Sequence, residues 1–288
     1  MGLFAVLPSP TDLLTLEYMR TAVFEVSLIA VAGGLLGAWI VLRRLAFFAH
    51  ATGTATFPGL VIADATGFSA TVAALAVALA YAGGVERGGR TGRDLGDSAT
   101  ALVLVFALAV GIVLASDVFD SGAAVDRLLF GTAIGLGGED LWVAALAAGL
   151  AVVATVLLGR AWTSAGFDPG AAATSGLPLR PIDLTLLGLV ALSAVAALPA
   201  VGALLVTSMF VVPAATARLL SSSVPGLLCV SVSLALLQGA TGLYVSLWLD
   251  VPPGPAIAVV GAALYATVAL ALAARSPATA RPVALETA

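Results

Sequence analysis

The chain of 288 residues holds one histidine, one cysteine and no lysine, and these counts bound the chemistry it can do. His50 is followed four residues later by Thr54, so on a helix the two side chains share a face. Neutral imidazole is a good ligand for zinc, whereas a threonine hydroxyl is a weak one. One histidine does not make a histidine-rich metalloenzyme. Cys229 is alone, which excludes an internal disulfide or a cysteine metal cluster and leaves it as a small packing residue. Without lysine the phosphate-gripping loop G-x-x-x-x-G-K-[ST] cannot be written, so any ATP-driven work needs a separate partner chain. Neither G-x-S-x-G nor H-E-x-x-H is present, which leaves intramembrane hydrolysis without a motif. No catalytic residue and no bound cofactor are expected.

The elements that must position these residues are set by composition. Hydrophobic residues make up 61% of the chain and charged residues 10%, with a mean hydropathy of +1.13. A soluble domain carries roughly a quarter of its residues as charges, so this chain is expected in lipid. Bilayer thickness calls for about 20 apolar residues per helix. Runs at 23–42, 46–63, 66–84, 98–115, 141–158, 184–198, 200–217, 227–249 and 255–274 meet that need. The predicted fold is all-α, a polytopic bundle of eight or nine spans, eight if one of the two runs joined near Asp64 is partial. Continuous rather than alternating runs exclude a β-barrel. Residues 1–22 are read as a short extracytoplasmic arm, because acidic Asp12 and Glu17 replace the basic start of a cleavable signal. Residues 23–274 form the membrane domain, and 275–288 a disordered cytoplasmic tail.

Orientation follows from arginine, which cytoplasmic loops retain. Placing the gap after the first run inside puts Arg43, Arg44, Arg87, Arg90, Arg93, Arg160, Arg180, Arg218, Arg275 and Arg281 on the cytoplasmic side and leaves only Arg20 and Arg127 outside. The N-terminus is then outside and the C-terminus cytoplasmic. Ten acids gather toward the outer face, among them Glu25, Asp64, Asp117, Asp120, Asp126, Glu139, Asp140 and Asp250, giving a mouth that would concentrate cations. Glu25, Asp64 and Asp250 read either as solvated rim residues or as guides toward His50, with Asp250 the preferred guide because it precedes Gly254-Pro255. Asp183 is expected to cap its helix. Gln238 and Thr241 either line a pathway or bond across helices. Gly33/Gly37 and Gly131/Gly135 are both spaced as G-x-x-x-G, the pattern that lets helices approach closely.

Two inner loops differ from plain connectors. Asp168 before Pro169 is an N-cap followed by proline at the first helical position, and it opens a short helical stretch at 170–175. Residues 213–226 carry a span out of the membrane, expose Arg218 and turn back at Pro225-Gly226. That segment is either an ordinary loop or a handle for a cytoplasmic partner.

Leu42-Arg43-Arg44, Thr56-Phe57-Pro58-Gly59, Leu129-Phe130-Gly131, Phe167-Asp168-Pro169, Ser175-Gly176-Leu177-Pro178, Pro213-Ala214-Ala215-Thr216-Ala217-Arg218 and Gly254-Pro255-Ala256-Ile257 occur in order. In this order and spacing the chain resembles the permease subunits of ABC-type manganese/zinc/iron uptake transporters. The resemblance implies an importer of a divalent transition metal in the prokaryotic cell membrane. It further implies two permease copies around a central pathway, two cytoplasmic ABC ATPases that hold the ATP, and an extracytoplasmic metal-binding protein. Residues 213–226 then match the coupling segment that docks on the ATPase, with Pro213, Ala214, Ala215, Thr216, Ala217 and Arg218 at its core. The family pattern before Pro-Gly, Gly-Asp-Ala-x-Ser-His-Ala-x-x-Pro-Gly, places its metal-binding Asp at His50 and its His at Thr54, so the acidic ligand is missing here. The candidate metal set is therefore His50 and Thr54 at the family's ligand positions together with Asp250, the preferred guide, and imidazole in place of carboxylate leans toward zinc over manganese. A gradient-driven secondary transporter and a permease with a degenerate metal site are the alternatives. Membrane lipid is the expected surroundings, and no nucleic-acid partner is expected.

Overall fold

A computed structural model describes residues 15–89, 96–118 and 129–275. Arg90, Arg93, Arg127, Arg281, Asp12, Asp120, Asp126, residues 1–14 of the arm and residues 276–288 of the tail lie outside the described residues. The helices are α1 (Glu17–Leu42), α2 (Ala46–Ala55), α3 (Phe57–Thr66), α4 (Ala70–Gly89), α5 (Gly96–Val113, continued by a π-turn at Leu114–Val118), α6 (Gly138–Phe167), α7 (Pro169–Thr174), α8 (Leu179–Val201), α9 (Val206–Leu220), α10 (Val224–Leu249) and α11 (Pro253–Arg275). No strand occurs among the described residues. Counting α2 and α3 as one, seven helical segments among the described residues are long and apolar enough to cross a bilayer, and Leu102–Ser116 and Val206–Leu220 are shorter apolar helices. Each of the nine apolar runs is carried mainly by helix, with turns at 67–69 and 202–205 breaking the runs 66–84 and 200–217.

The first helix is the axis of the bundle. It packs against α6, α8, α9 and α10, and it does so along a face of small residues. A Cβ at Gly33 or Gly37 would strike the Phe210 ring or carbonyl on α9, and one at Gly34 would meet the Val232 backbone on α10. Ser231 on α10 donates to the Gly34 carbonyl at 2.7 Å. Close backbone approach of this kind is how helices associate where lipid supplies no hydrophobic drive. Gly131 and Gly135 behave differently. Their φ values of +73° and +92° are left-handed, so their spacing belongs to an irregular connector and not to a helix seam. That connector lies on the end of α8, where Thr132 N donates to the Pro199 carbonyl at 2.9 Å.

The α2–α3 segment is one apolar run broken in the middle. Thr56 turns its hydroxyl back onto the Gly53 carbonyl at 2.6 Å, and Pro58 brings no amide hydrogen to the carbonyl four residues earlier. Around that break Thr52, Thr54, Thr56 and Phe57 are buried, with α4, α5, α8 and α9 packed against the segment.

Asp183 departs from its expected capping role. Helix α8 begins at Leu179 with Pro178 in the cap position, and the Asp183 carboxylate pairs with the Arg43 guanidinium at 2.6 Å. The pair ties the end of α1 to the first turns of α8.

Candidate metal pathway and inner coupling face

His50 sits half-buried on α2, with Nδ1 3.0 Å from the Thr207 hydroxyl in the first turn of α9. In the tautomer with the hydrogen on Nδ1, that proton goes to Thr207 and Nε2 presents its lone pair. A second group fixing the ring in this way is how ligating histidines are commonly held. Thr54, one turn on, is fully buried and donates its hydroxyl to the His50 carbonyl at 3.2 Å. Its proton is therefore spent on the helix, and only oxygen lone pairs remain for a cation. The structure brings His50, Thr54 and Thr207 together. Thr207 is the member that sequence reasoning missed, because nothing in its local motif distinguishes it and only the turn at Gly202 (φ +85°) swings α9 back beside α2.

Asp250 stands elsewhere. It closes α10 in a left-handed conformation, φ +53°, and lines a recess of about 580 Å³ with Tyr18, Phe130, Thr132, Ser246 and Pro253. His50 is not among that recess's lining residues. Among the described residues no three His, Cys, Asp or Glu side chains cluster so as to hold a metal ion. Asp64 is exposed at the end of α3, in keeping with a solvated rim. Glu25 is not a rim residue: it is 0% exposed, and neither carboxylate oxygen has a hydrogen-bond partner. Gln238 bonds across helices, donating Nε2 to the carbonyls of Ser208 and Ile257 at 3.2 Å each. Thr241 is exposed.

At the other end of the bundle, Arg43, Glu86, Arg180 and Asp183 line a recess of about 360 Å³ between α1, α4 and α8. Besides the Arg43–Asp183 pair, Arg180 Nε lies 3.6 Å from Glu86. The segment 213–218 is divided in its environment: Pro213, Ala214, Thr216 and Ala217 are buried in α9, and exposure begins at Arg218. The free part is thus Arg218–Ser223, after which Ser223 caps α10 by accepting from Gly226 N at 3.3 Å. Beside it, Asp168 caps α7 by accepting from Ala171 N at 2.9 Å, as its proline-led sequence predicts. Arg218 borders a small recess shared with Trp39, Trp162 and Phe167.

A helical bundle with this many lipid-length segments defines a polytopic membrane protein. The model of the ABC-3 family, described as the ABC 3 transport family, matches residues 15–272, and the chain belongs to that family. It is 33% identical over 256 residues to the manganese transport system membrane protein MntC of Halalkalibacterium halodurans, covering 88% of this chain and 87% of that one. It is 25% identical over 250 residues to the manganese import system permease protein ScaB of Streptococcus parasanguinis, covering 86% and 89%. In fold it is similar to the solved PsaBC from Streptococcus pneumoniae in complex with Fab, with a TM-score of 0.81 over 91% of this chain and 95% of that chain at 22% identity. The permease fold and family expected from the ordered motifs are thereby borne out.

Proposed function

We propose that the chain is the membrane subunit through which an ATP-driven importer moves a divalent transition metal, manganese first. Membership of the ABC 3 transport family carries the reading, and the similar proteins named for manganese transport give the cargo. Two copies pack around a shared pathway, because one copy supplies only one imidazole and two threonine hydroxyls near it, too few donors for a cation shell. Zinc is the second reading, favoured by a lone imidazole with no acidic cluster among the described residues.

ATP is hydrolysed on a separate cytoplasmic ABC subunit, consistent with a chain that has no lysine for a phosphate loop. That subunit docks on Arg218–Ser223 and α7, the exposed elements of the basic end. An extracytoplasmic metal-binding protein delivers cargo over the outer recess at Asp250. The N-terminus faces out and the C-terminus faces the cytoplasm of a prokaryotic cell.

The test is metal accumulation in chelator-starved cells with and without the chain, its ATPase present. Manganese uptake that depends on the chain supports the first reading, and zinc uptake alone supports the second. Uptake by the purified chain in liposomes without ATPase would overturn both. H50A should lower uptake by about tenfold or more, and T207V, which frees the ring, by about tenfold, with membrane levels of the complex unchanged. Unchanged uptake in H50A would remove His50 from the pathway.

A further inference from the structure

Glu25 is the one charged side chain that is fully buried among the described residues. It lies eight residues into the 26-residue α1, about 12 Å along the axis at helical rise. Its neighbour on the helix, Val26, packs against Met209 on α9 and Gly239 on α10, and the Glu25 side chain itself is fully enclosed. Neither carboxylate oxygen finds a donor. A carboxylate without a hydrogen bond or a counter-charge in such surroundings is among the most costly arrangements a protein can hold.

Among the described residues no cation is placed to offset it. On α6 the acting group is Asp140, whose charge has the same sign, with Glu139 next to it in the first turn. Arg160 is toward the far end of α6. On α8 the charged groups are Arg180 and Asp183, paired with Glu86 and Arg43 at the basic end. On α9 the charged group is Arg218, exposed at the same basic end. Helix α10 carries Cys229, Tyr244 and Asp250. On α1 itself Glu17, Tyr18 and Arg20 are exposed, Arg20 five positions away and so on another face.

We propose that Glu25 is a proton-binding site of the bundle, a neutral carboxylic acid in the described conformation that gives its proton to water when α1 parts from α6 or α10. The step is a simple exchange: the O–H bond breaks, a water molecule takes the proton, and the carboxylate left behind is hydrated by the water that has entered. Coupling of that exchange to metal movement rests on the proposed importer function; the protonation state does not.

Infrared difference spectroscopy of the purified full-length chain in detergent at neutral pH, wild type against E25Q, reads the proton directly. The carbonyl stretch of a protonated acid should be present in wild type and lost in E25Q. Absence of any band sensitive to E25Q would overturn the proposal. If E25Q does not accumulate, E25M gives the same comparison, and failure of both uncharged variants to fold would count against a neutral group there. In cells carrying the whole complex, E25Q should keep metal uptake but lose its dependence on external pH. Uptake abolished in E25Q and retained in E25D would show instead that the carboxylate binds a metal cation, which overturns the proposal. Cells in which the wild type moves no metal would sink the importer reading while leaving the infrared result to judge the proton site.

Discussion

Polar side chains inside this bundle divide into those that hold helices together and those left without partners. Gln238 belongs to the first kind: one amide nitrogen bridges α10 to the carbonyls of Ser208 on α9 and Ile257 on α11. Truncating it leaves both carbonyls without that donor and opens a void against Gly261, where any Cβ would strike the Gln238 amide. Q238A should therefore lower stability by about 1–3 kcal/mol, measured as a lower thermal midpoint in detergent. T241A on the same helix, at an exposed position, should shift it little. Sequence reading had left Gln238 open between pathway and cross-helix roles, since a polar residue within an apolar run shows depth but not direction. The same gap leaves Glu25 open between a solvated rim residue and a guide toward His50: its distance from the helix start is legible, the face it occupies is not. His50 stood out because it is the only histidine, whereas Thr207 is one of many threonines and only the turn at Gly202 gives it a role.

Helix packing rests on where side chains are missing. Gly37 lets α1 lie directly on the Phe210 carbonyl, and Gly84 on α4 faces open space. G37L should force α1 and α9 apart and cost about 1–3 kcal/mol or more, seen as poor accumulation of the full-length chain or a lowered midpoint. G84A should stabilise by about 0.5–1 kcal/mol, because alanine is the better helix former and meets nothing there. The helical character of the apolar runs is legible because bilayer length and continuous hydrophobicity leave no other element, but the turns at 67–69 and 202–205 that break two of them are not. The relations among the helices were less legible. Two G-x-x-x-G spacings look alike in sequence, yet Gly33/Gly37 form a helix seam and Gly131/Gly135 a left-handed connector, a difference fixed by the end of α8 on which the connector lies. Asp183 likewise resembles a cap until Arg43, 140 residues earlier, is found beside it.

Across the whole molecule the recesses of the two ends differ in their ionic lining. At one end Arg43 and Arg180 face Asp183 and Glu86 in one recess and Arg218 borders another, while Asp250 lines the recess of the other end. With the single cysteine replaced (C229S), R218C should react with a membrane-permeant maleimide and not with an impermeant one added to intact cells. Reaction with the impermeant reagent would invert the proposed orientation and remove Arg218 from any cytoplasmic contact. The ordered motifs made the family legible at this scale, since their spacing samples nearly the whole chain. The proposed second copy and partners are matters of surfaces that a single sequence does not display.

The tryptophans add an optical consequence. Trp39 and Trp162 meet edge to face with ring centroids 5.4 Å apart and share a recess with Arg218, while Trp142 and Trp248 are exposed near the opposite end. Lipid-borne quenchers should dim the exposed pair and spare the enclosed one, so the residual emission is a built-in gauge of the basic end. Its colour and lifetime should change whenever α1 slides against α6, with no dye attached.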